Sequence, residues 1–250
     1  MPPPRRELGL RALVDEAAHV VPGLHGHVVA AAADVATPWH ATAELASVQR
    51  YWASRYPEAG PHYAALRGWG LLVWQPIYLG VIAAHTRDAS LDLDRVSLVI
   101  DDGAIQAYKL WAHADVVSLA DETARLQAAA RQLSAGIVAL LPRWQACATL
   151  HAKAARRTCA DCALAALLAV QRRHRWPLTR ARDLGERWLA ALDLSGESGF
   201  LAYRTAAGDE ALALAHKVCC LHFRRRDGDR CSTCPKRSVA ERIECLLAEG

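Results

Sequence analysis

Several features that would announce a protein's place or partner are missing from this sequence. No apolar stretch of signal-peptide length opens it: in MPPPRRELGLRALVDEAAHV, Arg11, Asp15 and Glu16 interrupt the hydrophobic positions, which argues against export and for the cytoplasm. No run is long enough to span a bilayer. The longest uncharged stretch, GWGLLVWQPIYLGVIAA from Gly68 to Ala84, falls short and carries Gln75, Pro76 and three glycines, so it reads as buried core, with peripheral membrane contact as the most that it allows. No Gly-x-Gly-x-x-Gly follows a strand pattern and no phosphate-binding loop is present, so direct nucleotide binding has no support. A strong charge excess is lacking too; a net +4 and a pI near 8.7 are too mild for a nucleic-acid partner.

What is present suffices for a folded domain. With 250 residues, 52% of them hydrophobic, the chain can bury a sizeable core. Neither an internal repeat nor a low-complexity linker divides it, so one compact domain is expected. Residues 1–7 read as a frayed, proline-rich start. Apolar spacing predicts helices over Leu8–Val21, stopped by Pro22-Gly23, and over Thr42–Arg55, ended by Tyr56-Pro57. The stretch after Gly68 reads as helical on either side of Pro76, with a buried strand left open. Between 91 and 110, alternating apolar residues flank Asp102-Gly103, the pattern of a β-hairpin. Asp121 is positioned to cap a helix that Pro142 ends or kinks, and further helices are expected from about Trp144 to Arg173 and over Thr179–Ala191.

Beyond a glycine-serine loop at 195–200 and a short strand in FLAYRT, DEALALAHKV (209–218) reads as a helix. SVAERIECLLAE reads as another, with capping-box spacing between Ser238 and Glu241. The expected fold class is therefore α+β: a mainly helical single domain with a small antiparallel hairpin or sheet. Residues 1–208 form the body expected to bind substrate, and 209–250 a C-terminal segment whose cysteines lie between two helices.

Charge and sulfur meet in that segment. From Lys217 to Arg242 eight Lys and Arg residues face three acids, more than the excess of the whole chain. Eight cysteines without an export signal point to metal or redox chemistry rather than disulfides. Four of them follow the pattern Cys219-Cys220, ten residues, Cys231, two residues, Cys234. The Cys-x2-Cys turn can bring two thiolates to a metal, and the ten-residue loop, with Asp227-Gly228-Asp229 at its bend, is long enough to fold back. Zinc takes four thiolates, but its structural sites favour two Cys-x2-Cys knuckles, and directly adjacent cysteines point their side chains apart. A two-iron cluster is a broader target, for instance with Cys219 and Cys220 on one iron and Cys231 and Cys234 on the other. A disulfide, including a strained one between Cys219 and Cys220, fits the compartment poorly.

The run CCLHFRRRDGDRCSTCP resembles the C-terminal signature of FhuF-type ferric siderophore reductases, in which a proline follows the last cysteine. The resemblance covers about twenty residues of the tail and implies that Cys219, Cys220, Cys231 and Cys234 hold a [2Fe–2S] cluster, as metal ligands and cofactor-binding residues at once. It implies a ferric siderophore as substrate, with hydroxamates one candidate class. It also implies an external electron donor such as a ferredoxin or a reductase. No residue that contacts substrate can be carried over. The alternative is a non-enzymatic iron–sulfur or zinc protein acting as a redox sensor or a partner-binding module.

The chemistry suits the proposed work. Siderophores hold Fe(III) through hard oxygens, and one added electron weakens that hold. Cations beside a cluster favour its reduced form, and exposed ones can steer an acidic donor, so Arg224, Arg225 and Arg226 are expected either to serve the cluster in these ways or to form a solvated loop.

Other features compete less well. Cys159 and Cys162 stand one helical turn apart without a companion pair and, like Cys147 and Cys245, read as packing residues. His216 and His222 flank the adjacent cysteines and are placed to hydrogen-bond a sulfur or relay a proton. His25 and His27 read as loop residues, and His113 and His151 as helix-surface or satisfied core positions. Of Trp39, Trp52, Trp69, Trp74, Trp111 and Trp144, most are expected in the core, with some available to line a pocket for a bulky chelate.

Overall fold

The computed structural model describes residues 5–29, 37–87, 89–112, 117–119 and 121–249. Residues 1–4 and His113 lie outside them. Element α1 (Arg5–Val20) leads through Pro22-Gly23 into β1 (Gly26–Val29), which places His27 on a strand rather than in a loop. Helix α2 (Leu45–Arg55) is followed by a 3-10 turn at Pro57–Ala59 and then by α3 (Pro61–Thr86), one helix that runs straight through Pro76. A proline inside a helix removes a hydrogen bond and crowds the preceding turn, at a cost of about 3 kcal/mol or more. Here α3 is apolar on nearly every face and buried along most of its length, with α2, α4 and α5 packed around it, and this packing holds it helical.

Short strands β2 (Ala89–Ser90), β3 (Val96–Asp101), β4 (Ala104–Trp111) and β5 (Val117–Ser118) follow. The expected hairpin is β3–β4, turning at Asp102 and Gly103, whose φ values of 45° and 82° are the left-handed pair that a two-residue turn needs. Strand β1 adds to β4 in parallel, giving the order β1-β4-β3, while β2 and β5 pair separately.

Helix α4 (Glu122–Gln145) starts where Asp121 accepts a hydrogen bond from the Ala124 N–H at 2.8 Å. It passes Pro142 and ends one residue beyond Trp144, so Trp144 closes this helix instead of opening the next. The chain then turns at 146–151, and His151 caps α5 (Ala152–His174) by accepting from the Lys153 N–H. Two buried indoles tie α3 to its neighbours. Trp144 Nε1–H donates to the Ala65 carbonyl and Trp69 Nε1–H to the Ala155 carbonyl, both at 3.1 Å. No described helix is long and apolar enough to cross a membrane.

Helix α6 (Leu178–Ala191) precedes a hairpin of β6 (Phe200–Arg204) and β7 (Glu210–Leu214), and α7 (Val239–Glu249) ends the chain. Strand β7 corrects the expected helix at 209–218. The run EALAL satisfies a period of two as well as 3.6, and pairing with β6 in the register Phe200↔Leu214 and Ala202↔Leu212, across a turn with Gly208 at φ 88°, overrides its helical propensity. Leu212 then packs against Leu168 and Ala181. The cysteine segment therefore lies between a β-hairpin and a helix, not between two helices. The α+β class stands: the described residues form seven helices with small sheets of two and three strands.

Candidate metal centre

Strand β7 delivers the chain to the site. Ala215 N–H donates to the Gly199 carbonyl at 2.8 Å, Lys217 Nζ to the Gly196 carbonyl, and Arg157 to the Lys217 carbonyl at 2.7 Å, which fixes Ala215 and Lys217 ahead of the adjacent cysteines. After Cys220 the backbone swings through Leu221 in a left-handed conformation (φ 59°) into a short 3-10 turn, His222–Arg224. The neighbouring thiols point different ways, as expected for adjacent residues. Cys219 Sγ lies 3.8 Å from Cys234 Sγ, while Cys220 accepts a hydrogen bond from Cys231.

The Cys-x2-Cys turn closes by a bond from the Cys234 N–H to the Cys231 carbonyl. Arg237 clamps it from outside by donating to the carbonyls of Arg230 and Cys231. The predicted capping box is present: Ser238 N–H donates to Glu241 Oε2 at 2.6 Å and Glu241 N–H to Ser238 Oγ at 3.2 Å.

The ten-residue loop is anchored, not merely solvated. Arg225 forms a two-point pair with Asp227 at 2.8 and 2.6 Å, and its guanidinium lies 4.1 Å from the Tyr56 ring centre. Its side chain is only 14% exposed. The Arg226 N–H donates to Glu58 and its guanidinium to the Arg55 carbonyl. Both arginines thus tie the loop to the α2–α3 corner, while Arg224, Arg230 and Lys236 stay exposed. Replacing Arg225 by alanine is expected to speed loss of iron to a chelator several-fold without unfolding the body, and Arg225→Lys should not rescue it, since an ammonium cannot fork onto Asp227 or lie flat on Tyr56. Chelator-release kinetics beside circular dichroism would check this.

The thiols' protons show how the set is prepared. Cys220 is drawn down to about 5, chiefly by the hydrogen bond from Cys231 and also by the His222 N–H and the nearby imidazoles of His222 and His216. Cys231 is correspondingly raised, because its proton is held in that bond, and Cys219 is raised by burial. A metal replaces such protons. Elsewhere burial pushes Cys159 up to about 12 and Cys162 well above its usual value, so those thiols keep their protons, as packing residues would.

The donor set can be tested for fit. A tetrahedral metal with metal–sulfur bonds of about 2.3 Å holds its sulfurs roughly 3.8 Å apart. The Cys219–Cys234 separation meets this value, yet among the described residues no group of three His, Cys, Asp or Glu side chains is gathered to hold one ion. Four thiols in one segment, two of them at the separation of ligands on a common metal, fit a two-iron centre.

Residues 217–236 match the FhuF 2Fe-2S C-terminal domain. The match bears out the resemblance of the tail, and with Cys219, Cys220, Cys231 and Cys234 it supports a [2Fe–2S] cluster as the cofactor. It points to an iron–sulfur protein. The body ahead of 217 lies outside the match, and no curated protein or solved structure matches the chain.

Beside the cysteine segment lies a cavity of about 550 Å³ between α3, α5 and β7. Tyr63, Arg67, Trp74 and Tyr78 line one wall, Asp161 and Cys162 another, and Cys220, Cys231, His216 and His222 close one end. Buried Asp161 accepts from Ser198 Oγ and is 2.8 Å from His216 Nδ1, which fixes the orientation of that imidazole. Of the tryptophans considered for a pocket, Trp74 lines it; Trp39, Trp69 and Trp144 are buried core. Sequence reasoning missed Tyr63, Arg67 and Asp161. Asp161 had a signal, a lone carboxylate on an otherwise apolar helical stretch.

Proposed function

We propose that this protein reduces ferric siderophores, passing one electron at a time through a cluster held by Cys219, Cys220, Cys231 and Cys234, and so frees Fe(II). The observation that carries the reading is the cavity whose end wall includes Cys220 and Cys231: an acceptor seated there is next to the redox ligands. Its size falls in the range of about 300–1,000 Å³ typical of small-molecule sites, and its open mouth lets part of a larger chelate remain outside. A hydroxamate chelate, carrying little net charge, suits walls built largely of aromatic and aliphatic residues with one cation, Arg67.

When bound, the cluster supplies one-electron chemistry at a potential set by charge, hydrogen bonds to sulfur and exposure. The chain's own residues do the rest. Leu71, Trp74 and Tyr78 give the seat its apolar surface and exclude water from the acceptor's face, and Asp161 holds His216 in one orientation at the cysteine end. Arg224, Arg230 and Lys236 present positive charge on the outer loop, where an acidic ferredoxin-like donor would be steered by a field that salt weakens. The cytoplasm, where such donors and a reducing environment occur, is the proposed compartment.

The test is anaerobic mixing of the dithionite-reduced holoprotein with a ferric trihydroxamate and a ferrous trap. The visible spectrum should return to its oxidised form while the Fe(II) complex accumulates in proportion. A cluster that stays reduced beside an intact ferric chelate would favour a sensor or structural role.

A further inference from the structure

We propose that the four cysteines divide crosswise between the irons: Cys219 and Cys234 hold one, and Cys220 and Cys231 hold the other. The inference rests on the cluster assignment and is independent of what the cavity binds. It opposes the chain-neighbour arrangement, in which Cys219 would share an iron with Cys220 and Cys231 with Cys234.

Two observations converge on it. Two sulfurs on one tetrahedral iron stand roughly 3.8 Å apart, given metal–sulfur bonds of about 2.3 Å, and that is the separation of Cys219 Sγ and Cys234 Sγ. The remaining thiols, Cys220 and Cys231, both line the cavity that neither Cys219 nor Cys234 reaches.

The surroundings make the two positions unlike. Cys234 is 1% exposed and Cys219 half-buried, and neither lines the cavity. Cys220 and Cys231 are both exposed and both form its end wall. The iron on Cys220 and Cys231 is therefore the one that faces an occupant. A chelate seated in the cavity would meet the Cys220 and Cys231 side of a bound cluster, which would supply the single electron that takes its Fe(III) to Fe(II).

The test is Mössbauer spectroscopy of the ⁵⁷Fe-reconstituted holoprotein and of Cys219→Ser, Cys220→Ser, Cys231→Ser and Cys234→Ser. A serine oxygen changes the isomer shift and quadrupole splitting of the iron that it binds. Cys219→Ser and Cys234→Ser should perturb one doublet, and Cys220→Ser and Cys231→Ser the other. Perturbation of a common doublet by Cys219→Ser and Cys220→Ser would overturn the assignment. Should a variant fail to load, the parent holoprotein oxidised by ferricyanide and mapped by peptide mass spectrometry gives a second reading. Disulfides Cys219–Cys234 and Cys220–Cys231 support the crosswise division, and any other pairing counts against it. Neither measurement involves a siderophore, so turnover of a ferric chelate would stand or fall separately.

Discussion

Cys234→Ser should lose the cluster more completely than any other single ligand change. Cys234 is 1% exposed, at the end of a turn closed by its own N–H and clamped by Arg237, so no water can enter to complete the coordination sphere and the shorter serine reaches less far. Even changes to groups outside a ligand shell cost about 10–100-fold in metal affinity, and removal of a ligand should exceed that. Cys220 and Cys231 lie at the surface, where a serine oxygen or a water can substitute, so their variants should retain part of the iron with an altered spectrum. Iron and sulfide content and the visible spectrum after anaerobic reconstitution would rank the four. Parent-level iron and colour in Cys234→Ser would remove the ground for placing the cluster on these thiols.

The second large effect lies far from the sulfurs. Trp69→Ala is expected to cost about 3–5 kcal/mol, the usual range for deleting a buried aromatic. Trp69 is 0% exposed, fills the contact between α3 and α5, and ties the two helices by its bond to the Ala155 carbonyl. For a domain of this size about 2–4 °C of melting temperature goes with each kcal/mol, so a fall of roughly 10 °C should be seen in thermal unfolding of the holoprotein. Because α3 and α5 also form the cavity walls, the loss should weaken chelate reduction before it unfolds the chain. A shift of only a degree or two would mean that the packing here is loose.

Most of the helical frame was legible because its signals are local: apolar spacing, the Asp121 cap, the Ser238/Glu241 box and the Asp102-Gly103 turn each act within a few residues. The errors came where local signals tie. EALAL suits helix and strand equally until β6 is beside it. Pro142 looked like a terminator and Trp144 like a beginning, yet Trp144 is held at the end of α4 by its bond to Ala65, a residue of α3. Arg225 and Arg226 were weighed as tuning, steering or solvated charges, and the partners that make them anchors, Tyr56, Glu58 and the Arg55 carbonyl, lie some 170 residues earlier.

The sequence by itself determined which four thiols come together, because a short loop and a two-residue spacer confine them to one neighbourhood whatever the rest of the chain does. It also determined an α+β, largely helical body, because apolar periodicity is written residue by residue. Only the tertiary structure decided which thiol meets which, and that two of the four open onto a cavity. Those relations depend on how β7, α3 and α5 come together across long sequence separations, and side-chain direction in space is set by that packing rather than by spacing along the chain.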